Sequence, residues 1–483
     1  HGSGVGPANI FVSWWLGMSM ESLVSALRSW LDTHKRDPDS CFFWISSFCI
    51  RQSDPVEQAA DVQELGAVVG LLKHTVLMLE PWHSPAALNR AWCLLEIYHT
   101  MNTGAHFDVS LSSADMTALR AELCSSRGGG ILKSEAAINV REAKAWNPGD
   151  AEMIVNLIDS RVGCSTLNKK VLELIRDAIN RVAMGFVDAL ESQEERRSSL
   201  DLMTGVARLL QDHGETSSAE LLFREVVELR QANDEAEGTK HPDTFVAMNQ
   251  LAHAIAVGRG NLDDARTFSS GALEGLELLL GRRHEKTLKA INTLAWLTNL
   301  SGNAAKAEML AREACDGRRE VLGPHHADTL TSLGLLGAVL TRRREKQKEP
   351  CTSLPDLSAE EALYRELVAA QQVTLGTRHP YTLTSVGNFA DVLRMQGKLE
   401  EAREAMTVES EDAVTLTRDI LGSKHMITLV MEAREARLRI AESISSFGSV
   451  VQRMTSVLGE GHPQTKRYQQ HLTSISDGQR WAS

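Results

Sequence analysis

The segment GTKHPDTFVAMNQLAHAIAVGRGNLDDARTFSSGALEGLELLLGRRHEKT, residues 238–287, decides how most of this chain folds. It opens and closes on the same signature, Gly-x-x-His with a Thr three residues later. The signature recurs at Gly238/His241/Thr244, Gly281/His284/Thr287, Gly323/His326/Thr329, Gly376/His379/Thr382, Gly422/His425/Thr428 and Gly459/His462/Thr465. Successive histidines are 43, 42, 53, 46 and 37 residues apart, so the unit is about 42 residues, with insertions in two copies and a shortening in the last.

Within the unit, HPDTFVAMNQLAHAIAV carries apolar residues at three- and four-residue spacing, and LDDARTFSSGALEGLELLLG repeats that pattern after Gly260-Asn261. Each unit therefore reads as a helical hairpin. A second register agrees: Gly214/Ala219, Gly260/Ala265, Gly302/Ala307 and Gly397/Ala402 are all five apart, which suits a turn followed by a small residue that lets the second helix approach the first. Pro242, Pro380 and Pro463 stand where the first helical position should be, and a Gly follows each second helix. Histidines 42 residues apart in a stacked array sit about one repeat-width from each other, too far to share a metal ion, so the His and Thr are expected to shape the turn and the helix start. The run TRRREKQKEPCTSLPD (341–356) interrupts one unit as a basic, Pro-containing insertion.

Over about residues 198–480 the chain resembles tetratricopeptide repeats of the kinesin light chain type, whose unit reads G-x-x-H-P-D-T-L followed by an interhelical Gly and an alanine-rich second helix. The resemblance implies an all-α superhelical solenoid whose concave face, lined by first helices, holds a protein or peptide ligand. In that family an Asn midway along the first helix holds the peptide backbone, which implies the same role for Asn249 and Asn292; the later equivalents are Gly334, Gly387 and Ala433.

The first 185 residues are of another kind. Seven of the nine tryptophans lie there, and short β-rich runs (NIFVSWW at 9–15, CFFWISSFCI at 41–50, TVLMLEPW at 75–82, then HFDVSL) alternate with amphipathic stretches, including a helix from about 87 to 101. That alternation predicts an α/β domain with a parallel, doubly wound sheet, whose carboxyl strand ends would place Trp14, Phe48 and Arg51 beside any crevice. The segment AWNPGDAEMIVNLIDSRVGCSTLNKKVLELIRDAINRVAMGF reads as terminal helices of this domain. The expected division is 1–185, a charged junction at 186–200, and the repeat array at 201–483.

FFWISSFCIRQSDPVEQAADVQELGAVVGLLKHTVLML (42–79) is similar to the W-I-D-x-x-C-I-N-Q-x-D block of fungal heterokaryon-incompatibility domains, with Ser46 where that block has Asp and Arg51 where it has Asn. LNRAWCLLEIYHT (88–100) resembles the W-C-L-x-E helix of Toll/interleukin-1 receptor domains. Both resemblances imply a flavodoxin-like fold. The second implies that Glu96 matches the carboxylate needed where such domains cleave NAD: departure of nicotinamide leaves a cation-like ribose, which a carboxylate stabilises. Trp92, four residues earlier, shares its helix face, so Trp14, Phe48, Arg51 and Trp92 are the expected lining of an NAD pocket. The structural reading stands beside the catalytic one: Trp92 is core, and Glu96 pairs with Arg90 or a backbone group.

A net charge of −12, from 51 basic and 63 acidic residues, repels a phosphate backbone and leaves no field for nucleic-acid binding. Seven cysteines without a C-x-x-C pair suit reduced thiols in a cytoplasmic compartment. No run approaches the roughly 18 apolar residues of a membrane helix, and no secretory signal layout is present; the chain starts without Met, so its N-terminus is expected to lie downstream of the true one. SRGGGILKS (126–134) fails the phosphate-loop spacing and reads as a loop.

The function these readings favour is a cytosolic signalling or adaptor protein, whose repeats bind a partner and whose first domain acts on assembly, through a homo-oligomer if one forms. No cofactor is required on this reading, and no metal is expected. The alternative is an NAD glycohydrolase regulated by the repeats, with NAD as substrate. A motor cargo adaptor rests on the repeats alone and lacks the expected seven-residue coiled coil.

Overall fold

The structure is a computed structural model that describes residues 6–45, 49, 64–125, 139–258, 260–346, 357–422, 426–460 and 463–482. Ser46, Phe48, Arg51, the 126–134 loop, most of the 341–356 insertion, His425 and His462 lie outside the described residues. The chain forms two compact units, residues 1–238 and 239–483.

The first unit is built on four parallel strands: β1 (Ile10–Ser13), β2 (Phe43–Ile45), β3 (His74–Met78) and β4 (His106–Ser110), in the order β2-β1-β3-β4. Helices α1 (Met20–Thr33), α2 (Leu65–Leu72), α3 (Ala91–Thr103) and α4 (Ser113–Cys124) connect and follow them. Helix α1 packs on β4 and α4, whereas α2 and α3 pack together against β1 and β3, so the sheet is doubly wound as the alternation predicted.

Strand alternation assigns the faces. Ile10, Val12, Val76 and Met78 join Leu23, Ala26, Leu27 and Trp30 of α1 in one core cluster, while Phe11, Ser13, Thr75 and Leu77 point the opposite way. On that second face Thr75 Oγ1 and Thr100 Oγ1 of α3 share a 2.8 Å hydrogen bond. Helices α5 (Pro148–Arg161) and α6 (Cys164–Asp188) complete the α/β part, α6 lying along β4.

The expected junction at 186–200 is itself helical. Helix α6 runs on to Asp188, and α7 (Gln193–Ser198) starts from a capping box in which Ser192 Oγ accepts from the Glu195 amide while Glu195 accepts from the Ser192 amide. The first repeat hairpin, α8 (Leu200–Asp212) and α9 (Thr216–Glu237), belongs to this unit, with α8 packed on α4 and α6. That packing demands a bare backbone at Gly205: a Cβ there would sit 1.8 Å from the Leu123 carbonyl oxygen. Gly205→Ala is therefore expected to lower stability by about 1–3 kcal/mol, because α8 must move away from α4. A denaturant midpoint equal to that of the native chain would show that the two helices do not meet this closely.

The second unit contains α10 (Pro242–Val257), α11 (Leu262–Leu280), α12 (Glu285–Leu300), α13 (Ala304–Leu322), α14 (Ala327–Lys346), α15 (Ser358–Thr374) and α16 (Pro380–Met395), which pair as hairpins in the predicted register. Each first helix also touches the next first helix. The signature works as expected. Gly281, like the other five signature glycines, has a positive φ (67–97° across the set), a conformation that costs any residue with a Cβ. His284, His326 and His379 accept through Nδ1 from the amides of Lys286, Asp328 and Tyr381, capping the helix that follows. The signature threonines are all buried, and Thr329 and Thr382 donate back to the carbonyls of Gly323 and Gly376.

Two units depart from the simple hairpin. After α16 the second helix is split into α17 (Leu399–Ala405) and α18 (Ala413–Leu421) by a two-stranded turn at 407–412. The unit beginning at 422 does not turn at all: α19 (Met426–Leu458) is one helix of 33 residues, against which α20 (Pro463–Ala482) packs. The expectation of a hairpin in every unit is corrected here, and the reason is visible in the second register, where no interhelical Gly stands between Met426 and Gly448 to break the helix.

Candidate functional site

Two places in the fold carry the residues that the sequence singles out. In the α/β unit, Glu96 lies in the middle of α3 on the face turned to the sheet and is only 6% exposed. Its Oε2 accepts a 2.5 Å hydrogen bond from Ser13 Oγ at the end of β1. No salt bridge to Glu96 is present among the described residues, so Arg90 is not its partner. Burial pushes the Glu96 carboxyl up to about 8, and the Ser13 hydrogen bond offsets this only in part. Cys93, one turn earlier, is buried too; burial, and then the Glu96 charge, push its thiol up, and its Sγ donates to the Trp14 carbonyl.

Alternation on β1 divides the expected NAD pocket. Trp14 packs in the α1-side cluster with Val12 and Trp30, whereas Ser13 and Glu96 are on the α3 side. The Trp14 ring and the Glu96 carboxylate are thus on opposite faces of the sheet. Trp92 is half-buried and one turn of α3 nearer its amino end than Glu96. The indole Nε1 atoms of Trp14 and Trp15 and Glu80 Oε2, all following β1 or β3, are buried without a hydrogen-bond partner among the described residues. Phe48 and Arg51 lie outside the described residues.

A third group in this unit was not anticipated. At the opposite, amino edge of the sheet, His74 opens β3 and His106 opens β4, directly across from each other in the parallel register. Asp108 stands two residues into β4 on the same face, and His34 caps the end of α1. His74 Nε2, His106 Nε2 and His34 Nε2 lie 3.0, 3.3 and 3.5 Å from one atom, Asp108 Oδ2. Burial would raise the Asp108 carboxyl, but the His74 hydrogen bond and the charges of His106, His34 and Arg181 outweigh it and hold the group well below the usual range. A sequence signal existed, since each histidine stands at an element boundary. Nothing in the sequence, however, says which boundaries meet.

In the repeats, the two candidate asparagines differ. Asn249 in α10 is buried; its Nδ2 donates to Thr293 Oγ1 of α12 at 3.1 Å, and its Oδ1 accepts from Ser269 Oγ of α11 at 3.4 Å. It ties three helices together. Asn292 in α12 is half-buried, and its Oδ1 has no hydrogen-bond partner among the described residues. Trp296, one turn on, is half-buried and lies 4.9 Å, centroid to centroid, from the His253 ring of α10. Burial, then the Lys289 charge, lower His253 to about 4, so that ring is neutral at physiological pH. The later equivalents serve packing: a Cβ at Gly387 would lie 2.4 Å from Met431 Sδ and 3.1 Å from Arg434 Nη1. Arg434, admitted there, bonds to Asn388 and reaches Asp391 Oδ2 at 3.2 Å.

Hairpins of this length, capped and turned in phase by one signature, form a helical repeat array, and the tetratricopeptide repeat family model matches residues 243–320 of it. Similar solved structures include a crystal structure of nearly identical TPR-like repeats named as a kinesin light chain, from Podosopora anserina (22% identity, 44% of this chain and 92% of that chain, TM-score 0.35). BtubC (BKLC) from P. vanneervenii is 19% identical over 48% of this chain and 85% of that chain, with a TM-score of 0.35. A Rap protein complexed with competence and sporulation factor is 11% identical over 76% of this chain and 99% of that chain, with a TM-score of 0.37. No curated protein sequence matches the chain. No helix among the described residues is long and apolar enough to cross a membrane.

Proposed function

We propose that this protein is a cytosolic adaptor whose repeats hold an extended peptide from a protein partner and whose α/β unit acts when several copies assemble. The observation that carries the reading is Asn292. A buried amide oxygen without a partner costs free energy unless something supplies a donor, and a peptide backbone N–H laid across α12 would do so. The adjoining Trp296 ring, tilted by 31° against the His253 ring, adds aromatic surface beside it. Asn249 contributes by fixing the first helices against each other.

Screening the full-length chain against a displayed library of random peptides, followed by fluorescence anisotropy on the selected sequences, tests this. Asn292→Ala is expected to weaken binding about tenfold, roughly the worth of one buried hydrogen bond to a backbone, and to leave the melting temperature unchanged. Asn249→Ala should instead lower the melting temperature. A library that yields no binder, or binders indifferent to Asn292→Ala, rejects the proposal.

The buried, serine-bonded state of Glu96 supports the adaptor over NAD cleavage, because a carboxyl held near 8 and packed against the sheet does not present a charge to a ribose. Incubation of the monomeric and the assembled chain with NAD is expected to release no nicotinamide. Release that disappears in Glu96→Gln would establish the enzymatic alternative.

A further inference from the structure

We propose that His74, His106 and Asp108 bind one zinc-class divalent cation at the amino edge of the sheet. One ligand atom from each of His74, His106 and Asp108 lies within 4.8 Å of the others. Tetrahedral zinc with bonds of about 2.0–2.1 Å holds its donors roughly 3.3 Å apart. The His74 and His106 Nε2-to-Oδ2 distances, 3.0 and 3.3 Å, are close to that edge length.

His34, at the end of α1, faces the same carboxylate oxygen. Its Nδ1 lies 2.9 Å from the Trp30 carbonyl oxygen, which can only accept, so Nδ1 carries the proton. In the neutral ring the lone pair on Nε2 faces a carboxylate oxygen at 3.5 Å, a repulsion that a proton on Nε2 or a cation beside Oδ2 relieves.

The surroundings are prepared in the same way. Arg181 of α6 donates to Asp108 Oδ1 at 3.0 Å and to the Phe107 carbonyl at 2.7 Å, which fixes the carboxylate and leaves Oδ2 as its single donor to the histidines. Trp30, almost fully buried, walls the cluster with its ring centroid 4.8 Å from that of His34 and 5.2 Å from that of His74. Two imidazoles with one carboxylate form a nitrogen-and-oxygen set suited to zinc and unsuited to calcium or magnesium. Three protein ligands leave the fourth position to water, and the ion would tie the starts of β3 and β4 together.

The test uses the full-length chain, stripped with a chelator and dialysed. Zinc titration by calorimetry should give one site per chain and raise the melting temperature, and cobalt(II) should develop the visible absorption of a tetrahedral ion that zinc then displaces. His106→Ala removes a ligand whose side chain is 58% exposed, so the fold is expected to survive; zinc affinity should fall at least about tenfold and the cobalt band should be lost. His326→Ala, which alters a repeat cap, should keep both. The proposal is overturned if the native chain binds no stoichiometric zinc, or if His106→Ala, checked as folded by circular dichroism, binds it undiminished.

Discussion

Leu294→Asp is expected to lower the stability of the repeat unit by about 4 kcal/mol or more. Leu294 is in α12 and only 7% exposed, in a cluster with Leu273 and Leu276 of α11, Ile291 of its own helix, Leu310 and Ala314 of α13, and Leu336 of α14. An aspartate there forfeits the transfer free energy of a leucine and places a carboxylate among side chains that offer it neither a donor nor a cation. Leu294→Met, which keeps volume and character, should cost less than about 1.5 kcal/mol. Urea unfolding of the two variants would check this. Equal midpoints for Asp and Met would mean that the leucine is not in the core between these helices.

Glu96→Gln should act in the opposite direction and make the protein more stable at neutral pH. Glu96 has its carboxyl raised from 4.5 to about 8 in the folded chain by burial. As the pH rises, the unfolded chain therefore releases this proton first. The stability that the protonated group preserves is complete below about pH 4.5, is lost as the pH rises from there to about 8, and changes no further above that. By linkage the loss is about 3 kcal/mol at pH 7. Glutamine keeps the oxygen that accepts from Ser13 and never ionises, so the variant should match the native chain at pH 4.5 and exceed it progressively up to pH 8. Denaturant midpoints of both chains across that range, compared as differences so that other titrations cancel, provide the measurement. A difference that does not vary with pH would show that Glu96 ionises in the folded protein as it does in water.

Much of the repeat architecture was legible in the chain because its determinants are local. A glycine in the left-handed region, a histidine capping the next helix and a small residue five positions after the turn each act within one hairpin, so their spacing carries the fold directly. The same reasoning explains the unit that departs from the pattern: α19 runs through for 33 residues where the turn glycine is missing. The parallel sheet was legible for a related reason, since a strand, a helix and a strand in succession admit few arrangements.

The sites were less legible. Asn249 and Asn292 occupy the same position in successive repeats, yet one is consumed by Thr293 and Ser269 and the other keeps an unpaired oxygen. Sequence by itself determined the repeat period, the hairpins with their caps and turns, and the alternation that makes the first unit doubly wound, all of which follow from interactions between residues close along the chain. Only the tertiary structure decided that Trp14 and Glu96 fall on opposite faces of the sheet, that Glu96 is buried against Ser13, and that His34, His74 and His106 converge on Asp108. Those outcomes depend on which strands become neighbours and in what register, and residues 32 to 83 positions apart carry no local signal of such a meeting.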